Sequence, residues 1–374
     1  MPSITPTNTH KARHSLWWRL HIDVPMLMGL LVLIGYGLII LYSASGESVS
    51  LIEKQIIRLV LALVVMLVMA QIPPRVLKAW AVPLYVTGII LLIAVMFFGV
   101  SGKGAQRWLD LGIFRFQPSE ILKIALPMML AWYLSEQNLP PKNRYLFMAF
   151  LFIIIPSALI AQQPDLGTAL LIAGSGLFVL LLAGISWKFI AGVSVAFASL
   201  APVAWVFYLR DYQRERILVF LDPERDPLGK GYHIIQSKIA IGSGGLYGKG
   251  WLDGTQSQLE FLPERHTDFI FSVLGEEFGF FGVLLLLLIY LFIIGRGLYI
   301  GTQAQDTFGR LLAGSLTLTF FVYLFVNIGM VTGLLPVVGL PLPLVSYGGT
   351  SIVTMMASMG ILMGIRTHRR LHSS

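Results

Sequence analysis

Runs of about 20 predominantly apolar residues recur along almost the whole chain. A helix needs about 20 such residues to cross a hydrocarbon core of roughly 30 Å. Of the 374 residues, 56% are hydrophobic and 12% are charged, whereas soluble domains carry about 25% charged residues. These features predict one all-α integral membrane protein and argue against a pair of soluble domains.

The apolar runs predict ten transmembrane helices. Their approximate bounds are 25–43, 55–72, 79–99, 118–135, 144–162, 166–183, 187–208, 268–295, 309–333 and 346–365. The chain is thereby divided into a cytoplasmic tail at 1–24, a single polytopic domain at 25–366 and a cytoplasmic tail at 367–374. Within the domain, a large loop at 209–267 connects spans seven and eight. The first apolar run is too long for the hydrophobic region of a cleaved signal peptide.

The distribution of Lys and Arg predicts the orientation. With both termini in the cytoplasm, the inner tails and connections carry more than twice as many of these residues as the short outer connections. This is the bias that cytoplasmic loops show, and long loops are exempt from it. We therefore predict an N-in, C-in topology with loop 209–267 outside. The net charge of +8 then reflects cytoplasmic anchoring and need not indicate nucleic-acid binding. The chain has no cysteine, which excludes disulfides, thiolate metal sites and Cys nucleophiles.

The stretch 259–271, LEFLPERHTDFIF, places several charged residues directly before an apolar run. Charged groups at the mouth of a membrane span are costly and are candidates for a functional site. Asp268 could simply cap the eighth span, but Glu264, Arg265 and His266 precede it, so we favour a functional role. His266 could be an acid, a base or a metal ligand, although no typical metal-ligand spacing surrounds it.

Two further carboxylates lie at predicted helix starts on the outer side. Glu120 falls in the first turn of span four, where the helix dipole favours an anion, and Lys123 shares its helix face. The two could form a structural ion pair, or Lys123 could meet an anionic ligand. Asp165 precedes span six and could cap it, or it could be a second carboxylate near the site.

Two segments are rich in glycine or proline. The sequence GSGGLYGKG at 242–250 resembles a phosphate-binding loop, but it lacks the preceding strand and the Lys-hydroxyl pair of such loops. We interpret it as close backbone packing or a mobile flap. The segment 336–351, PVVGLPLPLVSYGGTS, predicts a broken helix or re-entrant backbone, which membranes tolerate where it is buried or lines a cavity.

Together the outer face offers carboxylates and cations in one region. The carboxylates are Glu120, Asp165 and Asp268, and the cations are Lys103, Arg107, Arg115, Lys123 and Arg265. Cations suit phosphate or pyrophosphate groups, and a carboxylate suits activation of a hydroxyl. The residues alone predict an enzyme or a transporter that handles an anionic, lipid-linked substrate at the outer leaflet.

Several of these segments resemble the shape, elongation, division and sporulation (SEDS) family of bacterial membrane proteins, and most closely its cell-elongation branch. The resemblance extends from about residue 16 along nearly the whole chain. It rests on KGAQRWLDLGIFRFQPSEILK (103–123), QPDLGT (163–168), DPERDPLGKGYHIIQSKIAIGSGG (222–245), GKGWLDGTQSQLEFLPERHTDFIF (248–271) and PLPLVSYGG (341–349).

The resemblance implies a ten-span peptidoglycan glycosyltransferase in the bacterial cytoplasmic (inner) membrane. Such an enzyme polymerises lipid II, a disaccharide-pentapeptide on undecaprenyl pyrophosphate, into glycan strands at the outer face during cell elongation. The partner implied is a class B penicillin-binding protein, a transpeptidase of the elongation machinery.

The resemblance also implies roles for individual residues. The family's essential aspartate falls on Asp268, which we expect to be the general base that activates the acceptor sugar. The other expected substrate-binding residues are Arg107, Arg115, Lys123, Glu120, Asp165, Arg265 and His266. The metal ligands stay unassigned, although a divalent cation, Mg²⁺ or Mn²⁺, would suit pyrophosphate. Two alternatives stay open: a lipid II flippase, and a scaffold that only activates the penicillin-binding protein.

Overall fold

The computed structural model describes residues 20–368, with gaps at 103–104, 111, 113–114 and 259–263 and with only scattered residues between 187 and 229. The chain is mostly helical. The described helices are α1 (Val24–Ala44), α2 (Val49–Gln71), α3 (Pro74–Phe98), α4 (Ser119–Ser135), α5 (Asn143–Gln162), α6 (Leu166–Leu182), α7 (Lys230–Ser243), α8 (Thr255–Gln258), α9 (Ile270–Thr302), α10 (Thr307–Val331) and α11 (Thr350–Thr367).

Six of the described helices are long and apolar enough to cross a membrane: α1, α3, α5, α9, α10 and α11. Helix α6 is apolar but shorter. Exposed apolar side chains such as those of Phe97 and Phe98 are suited to lipid. These helices make the chain a multi-pass membrane protein. The seventh predicted span, 187–208, lies only partly within the described residues, which include helical residues 188–192 and a π-helical turn at Ala204–Tyr208. The number of ten spans therefore stays a prediction.

Close backbone approach joins α2 to α11. A Cβ on Gly360 of α11 would lie 2.2 Å from the carbonyl oxygen of Met66 on α2, so no larger residue fits without a shift. Small residues at such contacts let membrane helices pack by van der Waals interactions. Helix α9 packs against α1, α10 and α7.

At the predicted cytoplasmic side, Asp23 ties three helices together. It caps α1 by accepting a hydrogen bond from the Met26 N–H at 3.0 Å. Its carboxylate also contacts Arg296 of α9 at 2.9 Å and Arg366 of α11 at 2.8 Å. Asp23 is 3% exposed, and an acidic group is tolerated there because two guanidinium groups neutralise it.

Between α3 and α4 the chain forms a small antiparallel sheet that the sequence analysis did not predict. Its strands are β1 (Val100–Gly102), β2 (Ala105–Asp110) and β3 (Arg115–Phe116), in the order β1-β2-β3. The all-α prediction was therefore wrong in this connection. Two hairpins satisfy the backbone groups locally, and the short strands carry too little periodicity to be visible in a hydropathy profile.

The segment 336–349 between α10 and α11 is non-helical, as its proline and glycine content predicted. Helix α11 begins at Thr350, four residues later than the predicted start of the tenth span. Tyr290 donates a 2.6 Å hydrogen bond to the Pro343 carbonyl, and Gln55 donates one of 3.3 Å to the Ser346 carbonyl. Neighbouring side chains thus satisfy backbone groups that a helix would otherwise pair.

Candidate functional site

Asp268 lies in a turn directly before α9. The N-cap residue of α9 is Phe269. One carboxylate oxygen of Asp268, Oδ2, lies 3.5 Å from where a Cβ on Gly339 would be. Gly339 has a φ of +80°, a conformation that glycine adopts readily. The absence of a side chain at this position leaves the Asp268 carboxylate room beside the non-helical segment.

Asn327 of α10 holds the backbone on both sides of this contact. Its Nδ2 donates to the carbonyl oxygen of Asp268 at 3.0 Å and to that of Leu340 at 2.8 Å. Asn327 is fully buried. The two hydrogen bonds fix the turn before α9 against the segment 336–349, and therefore fix the position of the carboxylate.

A cavity of about 180 Å³ opens beside Asp268. The described residues that line it are Val219, His233, Ile234, Glu264, Asp268, Phe269 and Val337. Three of these side chains are polar and four are apolar. This mixture suits a sugar, which presents hydroxyl groups at its edge and C–H groups on its faces.

Arg265 and His266 lie on the other side of the same turn, away from the described lining of the cavity. The His266 carbonyl accepts a 2.8 Å hydrogen bond from the Tyr347 N–H, and the two rings meet edge to face at 5.9 Å. Arg265 Nη2 lies 3.1 Å from where a Cβ on Gly46 would be. His266 thus packs against Tyr347, and Arg265 lies beside Gly46. Their role in substrate binding stays a prediction.

Glu120 and Lys123 form the predicted ion pair inside the bundle. Lys123 Nζ lies 2.7 Å from Glu120 Oε1, and Thr354 donates to Glu120 Oε2 at 2.7 Å. The Lys123 ammonium also lies 5.3 Å from the ring centroid of Tyr323. Both members of the pair are less than 10% exposed. Lys123 lines a small cavity of about 20 Å³, the space of about one water molecule, which is separate from the larger cavity beside Asp268.

Asp165 caps a helix, as one of its two interpretations predicted, and it also pairs with Arg107. It caps α6 by accepting from the Thr168 N–H at 3.2 Å, and its other oxygen lies 3.3 Å from Arg107 Nη1. Arg107 also donates to the Pro164 carbonyl at 3.2 Å. The side chain of Asp165 is 9% exposed and that of Arg107 is 31% exposed, so the Arg107 side chain is partly accessible while the carboxylate is nearly buried.

The segment 336–349 lies between the two aspartates. A Cβ on Gly167, beside Asp165, would lie 2.2 Å from Val338 Cγ1, and the next residue, Gly339, contacts Asp268. The structure thus brings Asp165 and Arg107 to one side of this segment and Asp268 to the other. The side chain of Arg115 and all of Lys103 lie outside the described residues.

The glycine-rich motif at 242–250 packs by close backbone contact, one of its two interpretations. Cβ atoms on Gly244 and Gly248 would lie 1.9 Å from the carbonyl oxygen of Gly275 and 2.1 Å from that of Glu277. The Lys249 N–H donates to the Glu276 carbonyl at 3.0 Å. The motif is therefore fastened to α9.

The two glutamates that follow Asp268 along the chain are structural. The Glu276 carboxylate accepts from Lys249 Nζ at 2.7 Å and from the Gln256 N–H at 2.9 Å, and Glu277 accepts from the Ser43 hydroxyl. Both carboxylates are buried. They fix loop 244–258 and α1 to α9 and are not among the described residues that line the cavity.

The sequence matches the pattern of the cell cycle protein family of FtsW, RodA and SpoVE over residues 17–371. The chain belongs to this family. It is the SEDS family that the sequence motifs resembled.

Curated relatives in the family resemble the chain over nearly its full length. Peptidoglycan glycosyltransferase MrdB of Escherichia coli (strain K12) is 57% identical over 361 residues, which are 96% of this chain and 98% of that protein. A probable peptidoglycan glycosyltransferase FtsW of Trichlorobacter lovleyi is 38% identical over 366 residues, 93% of this chain and 94% of that protein.

Solved structures show the same fold. A chain of a peptidoglycan synthase complex superposes with a TM-score of 0.80 at 34% identity, covering 92% of this chain and 97% of that one. The rod shape determining protein RodA of Thermus thermophilus superposes with a TM-score of 0.71 at 28% identity, covering 93% and 98%. The fold of this family member is therefore RodA-like.

Sequence reasoning missed two kinds of residue in this family member. His233 lines the cavity from α7, but a single His in a polar loop carries no signal of its own. Tyr323, Thr354 and Asn327 lie in apolar helices and contact the charged residues of the site. Polar residues inside predicted spans were the available signal for these three, because membrane helices place such residues where they find partners.

Proposed function

We infer that this chain is a peptidoglycan glycosyltransferase that polymerises lipid II, and that the sugar transfer takes place in the cavity beside Asp268. The similarity to MrdB supports the activity. The observation that carries the location is that Asp268 lines a cavity of about 180 Å³ together with His233 and Glu264.

In the proposed reaction Asp268 is the general base. Its carboxylate removes the proton from the 4-hydroxyl of the acceptor sugar, and the proton stays on Asp268 as the new bond forms. The acceptor oxygen attacks the anomeric carbon of the donor with inversion. The bond from that carbon to the pyrophosphate breaks, and undecaprenyl pyrophosphate leaves with the electron pair. A positioned base of this kind contributes about 10²–10⁴ in rate.

Positive charge stabilises the leaving pyrophosphate in this scheme. Arg107 is proposed to make direct contact, since its side chain is partly exposed while Asp165 holds the guanidinium. Lys123 is buried and paired with Glu120, so it contributes through its fixed field. Arg115 completes the set proposed from the sequence, and Arg265 and His266 are proposed to contact the substrate beside the cavity. Preorganised charge of this kind is often the largest catalytic term.

A divalent cation, Mg²⁺ or Mn²⁺, is proposed to assist. Among the described residues no group of three or more acidic or histidine side chains is arranged to hold a metal by itself. Asp268 and Glu264 nevertheless both line the cavity, and Mg²⁺ is commonly bound by one or two carboxylates together with substrate phosphates. These two residues would hold the ion, which supplies positive charge to the pyrophosphate when bound.

The proposed topology has ten spans, an N-in and C-in orientation and the loop 209–267 at the outer face of the bacterial inner membrane. The nine predicted spans other than the seventh each overlap a described helix, which supports the count. The excess of Lys and Arg in the predicted inner connections supports the orientation. This arrangement puts the Asp268 cavity on the side where lipid II is polymerised.

The proposed partner is a class B penicillin-binding protein of the elongation machinery. The similarity to a chain from a peptidoglycan synthase complex supports a synthase partner. Polymerisation and crosslinking would then occur in one complex, and the transpeptidase would receive the glycan strand as it is made.

The test is a polymerisation assay with the purified full chain and lipid II in detergent. Because detergent removes the two-sided membrane, a flippase would yield no glycan product, whereas the proposed enzyme yields polymer. A scaffold would also yield no polymer in this assay, whether or not its transpeptidase partner is added. The same assay with a chelator tests the cation, since full activity in excess chelator contradicts a divalent ion in the reaction.

A further inference from the structure

We propose that His233 forms a substrate-binding contact in the Asp268 cavity, with its Nδ1 atom hydrogen-bonding a hydroxyl or acetamido group of the sugar that occupies it. This inference deepens the proposed function and rests on it. Nothing in the sequence motifs or the comparisons assigns a role to His233.

The first observation is the lining of the cavity. His233 enters it from α7, whereas Glu264 and Asp268 enter it from the turn before α9. The polar groups therefore come from two separate elements, and Val219, Ile234 and Val337 provide apolar surface between them. At about 180 Å³ the cavity is smaller than the roughly 300–1,000 Å³ of pockets that enclose a whole drug-sized ligand. It suits one part of the substrate, such as a single sugar ring.

The second observation is a polar atom that lacks a protein partner. The Nδ1 atom of His233 is buried and has no hydrogen-bond partner among the described residues. A buried polar group without a partner costs about 1–3 kcal/mol, so a sugar hydroxyl or amide that hydrogen-bonds to this atom on binding removes that cost.

The third observation is that the imidazole is held in place. Its ring stacks on Phe269, the residue after Asp268, with centroids 5.9 Å apart and an angle of 19°. One turn along α7, Ser237 donates to the Val331 carbonyl at 2.6 Å and lies 2.8 Å from the Ser272 hydroxyl. Helix α7 is thereby fixed to α9 and α10. The imidazole is positioned before any substrate arrives, which reduces the entropy lost on binding.

The charge state of His233 agrees with a hydrogen-bonding role. Burial lowers the pKa of His233, and the nearby carboxylate of Glu264 opposes that effect. The imidazole is therefore neutral near pH 7, since an unperturbed histidine has a pKa of about 6.5. A neutral ring offers one donor and one acceptor nitrogen, which suits the hydroxyl and amide groups of an aminosugar.

The experiment measures lipid II binding by full-length variants in detergent, all carrying Asp268→Asn to prevent turnover. His233→Asn keeps a polar atom near the Nδ1 position, whereas His233→Gln places it near Nε2 and His233→Leu removes it. We expect His233→Asn to bind within about threefold of its parent. The Gln and Leu variants should bind about tenfold more weakly, a difference of about 1.4 kcal/mol.

Gln236→Leu is the matched control, because it removes a polar side chain from the same helix outside the described lining of the cavity. It should leave the affinity unchanged. Thermal unfolding identifies any variant that fails to fold. If His233→Leu fails to fold, the comparison of His233→Asn with His233→Gln decides the test. Equal affinity of the Asn and Gln variants, or unchanged affinity of the Leu variant, overturns the inference. If the parental chain, with Asp268 intact, makes no polymer at all, the proposed function fails. That result is independent of the binding comparison, so the two failures can be told apart.

Discussion

Asn327 links Asp268 to the non-helical segment that follows α10, because its Nδ2 donates at 3.0 Å to the Asp268 carbonyl and at 2.8 Å to the Leu340 carbonyl. One turn before it on the same helix, Tyr323 lies against the Lys123 ammonium, which is 5.3 Å from its ring centroid. A single face of α10 therefore contacts both the proposed base and the buried ion pair. Changes at this face should affect catalysis as well as stability.

Asp268→Asn should lower the rate of lipid II polymerisation by about 10²–10⁴, the typical contribution of a positioned base. The amide has nearly the same shape, so insertion and thermal unfolding should change little. The measurement is the initial rate of glycan formation by purified protein in detergent. Asp253→Asn, a change of an exposed carboxylate between α7 and α8, should retain the parental rate. Parental activity in Asp268→Asn would remove Asp268 from the role of base.

Asn327→Ala should reduce polymerisation at least tenfold and also lower the unfolding temperature. The reason is that two buried carbonyl groups lose their donor, at about 1–3 kcal/mol for each unsatisfied group, and the turn that holds Asp268 loosens. Ser315→Ala on the same helix removes a buried 2.7 Å hydrogen bond to the Ser175 carbonyl far along the helix from the cavity. It should destabilise the protein yet keep its activity. Equal activity losses in the two variants would mean that Asn327 acts through stability alone.

Glu120→Gln and Lys123→Met should each lower the free energy of unfolding by about 3–5 kcal/mol, because each leaves a buried charge without its partner. The double variant should be less destabilised than the sum of the two changes, since it removes both charges. Unfolding in detergent, followed for all four proteins, gives the coupling energy. Additive effects would contradict a direct interaction between these two side chains.

Gly244→Ala should destabilise the attachment of loop 244–258 to α9. The added Cβ would lie 1.9 Å from the Gly275 carbonyl oxygen, so the backbones must separate. Gly242→Ala is the matched control, as nothing lies within 4 Å of the Cβ it would add. Limited proteolysis of the loop should be faster in Gly244→Ala and unchanged in Gly242→Ala. Equal protection of the two variants would show that the contact is not tight in solution.

His21 should make stability depend on pH at the predicted cytoplasmic face. Its ring stacks on that of His368 at 3.7 Å, and burial, followed by the charge of His368, lowers the pKa of His21. The unfolded chain therefore binds this proton more readily than the folded one. The stability contributed by the neutral ring is full above a pH of about 6.5 and is lost as the pH falls towards the lower folded pKa. The unfolding temperature should drop more between about pH 7.5 and pH 5.5 in the parental chain than in His21→Gln. Identical drops would exclude His21 as the cause.

Hydropathy and local signals were enough to predict much of the bundle. The nine overlapping helices, the cap by Asp165, the ion pair of Glu120 and Lys123 and the broken segment 336–349 follow from patterns within a few residues of each other. The motifs also placed the chain in its family, which the comparisons confirmed. The small sheet at 100–116 was missed because its strands are too short to show a period.

The composition of the cavity was decided by tertiary structure. The sequence distance between His233 and Asp268 does not show that both line one cavity. His266 is two residues from Asp268, yet it lies against Tyr347 and not in the described lining of that cavity. The separation of Asp165 from Asp268 by the segment 336–349 is likewise a result of how α6, α9 and α10 pack. Residue types and local order are properties of the sequence, because they depend on neighbours along the chain. Which side chains share a cavity depends on helix packing, and long-range burial and hydrogen bonds such as those of Asn327 decide that packing.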